Sequence, residues 1–245
     1  MRTIILVQTH IHFLYLKRHS VNPVYFSSIC PWAPSLNDDK ELWKEWAAGT
    51  KQIEQTDEAP KLEYTSPLFR RRLSQITRMT VHVIHNLLEK TKASGETKIV
   101  FISLRGEIAR EFSINKQLIE DNEILPAPFS LSVFNTPVSS ATIAFHLTDG
   151  YSVLYPSKNN FASAVIPAVS PIRAGTEKNC LFVYADELVP ECYGGKRPND
   201  NTPLAFAALV SAEPSPDAVQ LNDFENIPEE PKQFLKFLLK NGENK

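Results

Sequence analysis

Cysteine is scarce in this chain: three of 245 residues, at positions 30, 180 and 192, with no CxxC spacing. So few, odd in number and so placed, they speak against a disulfide framework and against a zinc site. A reducing, cytoplasmic compartment is the expectation, with no metal and no cofactor. Positive charge is not in excess either. Lys and Arg number 26 against 28 Asp and Glu, a net charge of -2, so no overall field is available to hold nucleic acid through its phosphates. A membrane-spanning run is also missing. The stretch TIILVQTHIHFLYL (residues 3 to 16) is interrupted by Gln8, His10 and His12, and it falls short of the roughly 20 apolar residues a spanning helix needs. Only Arg2 precedes it as a positive residue, and no small-residue cleavage motif follows LKRHS, so a targeting peptide is not expected. Residues 1–21 are read as an extension or an extra strand. The chain has no internal repeat and no low-complexity tract.

What is present is an alternation of apolar patterns across a chain that is 42% hydrophobic, long enough to bury a substantial core. VYFSSI (24 to 29) reads as a strand closed by CPWAP. Asn37 to Asp39 can cap a helix through DKELWKEWAAG, with Gly49 as its stop. Residues 50 to 66 read as loop. In FRRRLSQITRMTVHVIHNLLEK, Leu73, Ile76, Thr80, Val83, Ile84 and Leu87 fall at helical spacing. KIVFIS (98 to 103) is a continuous apolar run, as in a strand covered on both faces. A helix over REFSINKQLIEDNE leads to LPAPFSLSVFNTP, a proline-punctuated segment read as extended. VSSATIAFHL is helix-like, YSVLY (151 to 155) a strand, Phe161 to Ile172 a helix interrupted by Pro167 and Pro171, and NCLFVYADE (179 to 187) a strand. LAFAALVSA (204 to 212) looks like a sheet edge, followed by polar linker and a short helix, KQFLKFLLK. Strands alternating with helices imply an α/β layered domain on a mostly parallel sheet.

The chemistry-bearing candidates are few. His82 and His85 stand three apart on one helix but lack a third ligand at suitable spacing, so a surface pair is the better reading. Arg70, Arg71 and Arg72 sit at a helix start, where the dipole disfavours positive charge; they suit either an acidic contact or a solvated turn. Asp186 and Glu187 end a strand, where sites collect in α/β folds, yet without a second acidic pair or a histidine nearby a structural loop is favoured. The sharpest case is VLYPSKNNFASA (153 to 164): strand, polar turn, small-residue helix. Here a helix N-terminus would activate a cysteine, and none is present. Ser157 lacks the GxSxG surroundings of esterases. Lys158 at such a terminus is pushed toward neutrality, which would make it an amine nucleophile; a vacated site is the competing reading.

In order, VYFSSICPWAP, ELWKEWAAG, FRRRLS, KIVFISLRGE, PAPFSLSVFNTP, CLFVYADE and LAFAALVSA resemble the amino-terminal half of the β-ketoacyl synthases, and most closely their chain length factor branch, over roughly residues 22 to 212. The resemblance implies a thiolase-like layered α/β/α fold built as a single half with a mixed, mostly parallel sheet. Residues 22–212 would form the synthase-like domain and 213–245 a linker with a short C-terminal helix. Laid without gaps from Asn135 to Gly175, the family pattern puts Lys158 where synthases carry their cysteine and decarboxylating relatives a glutamine. The second half, with its two histidines, would need far more than the 33 residues after Ala212. The resemblance therefore implies a non-catalytic subunit that pairs with a full-length β-ketoacyl-ACP synthase as a heterodimer and meets acyl carrier protein through that partner. It would shape the partner's acyl tunnel in fatty-acid or polyene biosynthesis of the aryl polyene type. Tyr151, Val153 and Tyr155 would form the dimer strand. Phe129, Phe134, Asn135, Ser157, Lys158, Asn159 and Phe161 are the tunnel and interface candidates, with Phe134 as the plug. An acyl transferase or hydrolase using Ser157 or Lys158, or a free-standing acyl-binding protein, is the alternative.

Overall fold

Side chains of even and odd number part to opposite faces along the central strands, which is what a pleated strand covered on both sides requires. In the computed structural model, which describes residues 22–93, 95–193, 201–222 and 227–242, Val100, Ile102, Phe182, Tyr184, Phe206 and Ala208 enter one core. Ile99, Phe101, Leu181, Val183, Ala205 and Ala207 enter another. The expectation for residues 1–21 lies outside the described residues.

The elements run β1 (Tyr25–Trp32), α1 (Lys40–Ala48), α2 (Pro67–Arg70), α3 (Gln75–Thr91), β2 (Ile99–Ile102), α4 (Ile108–Asp121), α5 (Pro126–Phe129) and α6 (Thr136–Phe145). Then follow β3 (Tyr151–Leu154), α7 (Ala162–Ala174), β4 (Asn179–Asp186), β5 (Leu204–Ser211), β6 (Val219–Gln220) and α8 (Pro231–Gly242). The strands form one sheet in the order β3-β2-β4-β5-β1-β6. β2 pairs in parallel with β3 and β4, while the β4–β5, β5–β1 and β1–β6 pairs are antiparallel. The sheet is therefore mixed, with its parallel part at the β3 end; it is not mostly parallel as expected, because β1, β5 and β6 pair antiparallel. Helices α3 and α6 cover one face; α1, α7 and α8 cover the other.

Local chemistry explains the helix ends. Asp39 caps α1 by accepting from the N–H groups of Glu41 and Leu42, and Gly49 closes it at φ 92°. The basic segment expected to enter one long helix instead breaks into two. Ser66 caps α2 and Ser74 caps α3, and Arg78 donates to the carbonyls of Leu73, Pro60 and Arg70, fixing the turn between them. Leu73 thus precedes the helix. The segment read as extended, LPAPFSLSVFNTP, is mostly helical turn. Pro126 and Pro137 each sit in a first helical turn, where proline has no N–H to lose and a φ already suited to a helix. Helix α7 runs through both Pro167 and Pro171.

Two further differences concern the sheet. β5, expected at an edge, lies inside it between β4 and β1, because its alanine-rich residues let helices close over both faces. β1 continues past Cys30 to Trp32, with an irregularity between Ser27 and Cys30 where Ser28 adopts φ 56° and its N–H donates to Asp217 Oδ2 at 3.0 Å. Beyond Ala212, β6 joins the sheet and α8 seats Phe234, Leu235 and Leu238 in the core. Among the described residues, no helix is long and apolar enough to cross a membrane.

Phe234 is fully buried, with its ring 5.5 Å from those of Phe26 and Phe161 and 5.8 Å from that of Phe182. Phe234→Ala should lower the unfolding free energy by about 3–5 kcal/mol, as a large aromatic truncated in a closed core does. Urea titration followed by tryptophan fluorescence measures the loss.

Candidate functional site

The turn after β3 is built by short bonds among its own polar residues. Asn160 N–H donates to the Ser157 carbonyl at 3.0 Å, and Asn160 Oδ1 accepts from the Ser163 N–H at 3.2 Å. Ser163 Oγ donates to the Asn160 carbonyl at 2.7 Å and accepts from the Ser157 N–H at 3.3 Å. Asn159 holds the left-handed conformation at φ 54°, a region asparagine tolerates better than most side chains. Phe161, at the start of α7, is 1% exposed and anchors the turn against Tyr184 and Phe234, with ring centroids 5.8 and 5.5 Å away. Ser157, Lys158 and Asn159 are exposed. Strand, turn and helix therefore form an elbow, as the sequence implies, with Lys158 at its outer corner.

Beside the elbow lies a cavity of about 370 Å³, lined by Tyr155, Ser157, Lys158 and Phe161 with Tyr184 and Asp186 below, and with Glu230 and Lys232 among its other walls. Among the described residues, no cysteine and no histidine belongs to this lining. Cys30 and Cys180 are buried elsewhere, and burial pushes their thiols up to about 11 and about 12. Asp186 accepts from Ser103 Oγ at 2.7 Å, from Tyr184 Oη at 2.6 Å and from the N–H groups of Leu104 and Arg105 at 3.1 Å. Burial raises its pKa against these bonds, and it raises that of Tyr184 as well. This carboxylate organises the cavity's base; its oxygens are already taken.

On the opposite face of the sheet is a constellation that motif reading missed. Glu187 is 1% exposed, and its two oxygens accept from Ala109 N–H at 2.9 Å and Ile76 N–H at 3.4 Å, the first turns of α4 and α3. Glu107 is 2% exposed and accepts from Ser74 Oγ at 2.7 Å, from Thr77 Oγ1 and from Arg110 Nε at 3.0 Å. Two buried carboxylates thus join two helix N-termini, where the dipole favours negative charge. Glu107 carried no sequence signal beyond its place before a helix. The reading of Asp186 and Glu187 as structural matches what they touch.

The remaining candidates are scattered. Phe129 is exposed on α5, while Phe134 and Asn135 are half-buried before α6. Asn135 Nδ2 donates to Tyr151 Oη at 2.9 Å, tying that segment to β3. Tyr151 is partly exposed and Val153 half-buried on β3; Tyr155 lies one residue past its end and is 69% exposed. β3 pairs only with β2 among the described residues, so its outer edge is open. His82 binds both oxygens of Asp38, at 2.9 and 3.0 Å, while His85 stacks on Tyr64 at 3.7 Å; the two imidazoles do not converge. Arg71 and Arg72 are exposed on the turn after α2.

The family model described as β-ketoacyl synthase, N-terminal domain, matches residues 43–235. Among solved structures, the chain is similar to one in the complex of a ketosynthase, ApeO, with its chain length factor, ApeC, from Xenorhabdus doucetiae. There it is 25% identical with a TM-score of 0.72, covering 91% of this chain and 92% of that one. It is similar in fold to the ishigamide ketosynthase/chain length factor, with 12% identity, a TM-score of 0.58, and coverage of 78% of this chain and 61% of that one. The ketosynthase in AntDE:AntF gives 11% identity, a TM-score of 0.59, and coverage of 78% and 62%. No curated protein matches the sequence. The layered sheet and these likenesses agree on the thiolase-like α/β/α fold.

Burial, and then the Glu107 charge, push Glu187 from its ordinary 4.5 up to about 7. A carboxyl whose folded pKa is raised stabilises the fold fully below its unfolded pKa, and that contribution is lost as pH rises through the folded value. Between about pH 4.5 and 7, the urea midpoint of the wild type should therefore carry a falling component. Glu107→Gln removes the neighbouring charge and should flatten it; equal slopes in the two proteins would show that the pair does not share this coupling.

Proposed function

The chain belongs to the β-ketoacyl synthase family through its N-terminal domain, and from that premise we propose that it is a non-catalytic chain length factor. It pairs with a full-length β-ketoacyl-ACP synthase and shapes that partner's acyl tunnel. The observation that carries the reading is the elbow: strand, turn and helix are in place, Lys158 stands at the corner, and among the described residues the adjoining cavity has neither a thiol nor an imidazole in its lining. Lys158 is exposed beside Asn159 and Ser157, on a turn whose bonds run among Ser157, Asn160 and Ser163. Condensation needs an acyl-accepting thiolate and proton-handling imidazoles, and this cavity offers neither.

Pairing is supported by the surface. β3 leaves a row of backbone donors and acceptors open, and an open edge is a template for a strand from another chain. On the segments just before and after β3 in the chain, Tyr155 is 69% exposed, Ile143 70% and Ile166 41%, apolar area of the kind an interface covers. The β3 edge with Tyr151, Val153 and Tyr155 forms the contact, and Phe129, Phe134 and Asn135 border the tunnel. Acyl carrier protein reaches the pair through the synthase. The likeness to a ketosynthase and chain length factor complex at 25% identity favours a polyene product of the aryl polyene type, made in the cytoplasm.

Co-expression with a complete ketosynthase should yield a co-purifying heterodimer, and Val153→Pro, which removes an edge N–H, should weaken it at least tenfold in affinity. Incubation with acyl-thioester carrier followed by intact-mass measurement should leave this chain unmodified. A covalent adduct on Ser157 or Lys158, or a stable monomer that leaves the synthase's products unchanged, would replace this reading with an acyl transferase or an acyl-binding protein.

A further inference from the structure

Along one row across the sheet, Phe182, Val100 and Ser152 stand in register on β4, β2 and β3. The first two belong to the core that α7 covers; the third is a serine, exposed on the edge strand. Where the row shortens, a cavity of about 370 Å³ opens between β3 and α7, at the opposite end of β3 from the elbow. Gly150, Tyr151 and Ser152 wall it on the strand side, and Pro167, Ala168, Pro171 and Ile172 on the helix side. Pro167 and Pro171 are four residues apart inside α7 and so share one of its faces. Each lacks the N–H that would reach the carbonyl four residues earlier, which leaves Ser163 and Pro167 with main-chain oxygens deprived of that helical donor. At the rim, Lys98 pairs with Glu177, while Asp149 has no ion pair among the described residues. Two carboxylates thus stand around one ammonium.

We propose that this cavity receives a guanidinium: an arginine side chain carried by the strand of the partner synthase that pairs with β3. This rests on the pairing reading above. A strand added at the open edge sets one residue directly beside Ser152 on the same face, so its side chain continues the row over the cavity. The walls of Pro167, Pro171 and Ile172 suit a methylene stem, and the rim suits a charged head. A guanidinium brings several N–H donors in one plane, enough to serve helix carbonyls and the Asp149 carboxylate together. An aliphatic side chain would cover the same acceptors without meeting them, which is costly. The volume lies near the lower end of small-molecule clefts, roughly 300 Å³, so one long side chain matches it better than a cofactor does.

The test uses the full chain and its ketosynthase, with the dissociation constant measured by isothermal titration at low and at moderate salt. Asp149→Lys should weaken pairing by at least about a hundredfold and Asp149→Asn by about tenfold, the latter with a shallower salt dependence. Pro167→Ala and Pro171→Ala return an N–H to each carbonyl. Each should weaken pairing about fivefold, while the urea midpoint of the chain alone stays level or rises. Wild-type affinity in Asp149→Lys would overturn the proposal. So would an unaltered salt dependence in Asp149→Asn, which would seat an uncharged side chain in the cavity, or wild-type affinity in both proline variants. A wild-type chain that pairs with no synthase ends this proposal together with the reading it rests on; the other contrary outcomes, obtained with pairing intact, end this proposal alone.

Discussion

Asp186 and Glu187 are consecutive, and the pleat of β4 sends them to opposite faces of the sheet. Each is a carboxylate taken almost wholly out of water, at 2% and 1% exposure. Such a group is tolerated only where donors replace its hydration, so the chain around each must converge on it. Asp186 draws in Ser103, the N–H groups of Leu104 and Arg105, and Tyr184; this fixes the path after β2 and the base of the elbow cavity. Glu187 draws in the first turns of α3 and α4, which fixes where those two helices begin. Two neighbouring residues, the last of a central strand and the one after it, thereby fix the path after β2 and the starts of two helices.

The elbow shows how a shape is kept apart from the chemistry it can carry. Its bonds run among Ser157, Asn160 and Ser163, and its anchor is the buried ring of Phe161. The side chain at position 158 takes no part in those bonds and stands exposed on a turn that folds whatever occupies the corner. A left-handed residue follows at Asn159, where strain is local and small for asparagine. A change of side chain at such a corner leaves the bonds that build the turn and the ring of Phe161 beneath it in place.

Much of this is legible in the residues, and the exceptions have physical causes. Helix α1 can be read end to end because Asp39 and Gly49 are local signals acting within one turn. β2 is legible because Ile99 to Ile102 are all buried, and a continuous apolar run says as much. The place of β5 is not, since strand order is decided by pairings between distant segments and LAFAALVSA reads alike at an edge or inside. The helical turns at Pro126 and Thr136 escape such a reading because proline signals a break as readily as it signals a helix start. Glu107 meets Ser74 and Thr77, and Gly106 meets Phe134, across long stretches of chain, and no periodicity in one sequence encodes a meeting of that kind. The lysine at position 158 stands out only against a family pattern, while the make-up of the cavity beside it, without an imidazole among the described residues, needs the fold.

The irregularity in β1 has a consequence for how this chain can vary. Before it, Phe26 belongs with the even-numbered side chains of β4 and β5; after it, Cys30 and Trp32, also even, lie in the other core. Ser28 at φ 56° is thus a parity switch within a single strand. Loss of one residue at the switch would remove the irregularity and leave Phe26 and Trp32 in the cores they already occupy, whereas flattening it at the present length would carry the indole of Trp32 through the sheet to the side already filled by aromatic rings. The extra residue and the left-handed conformation at Ser28 are consequently a matched pair, which this strand can keep together or lose together but not separately.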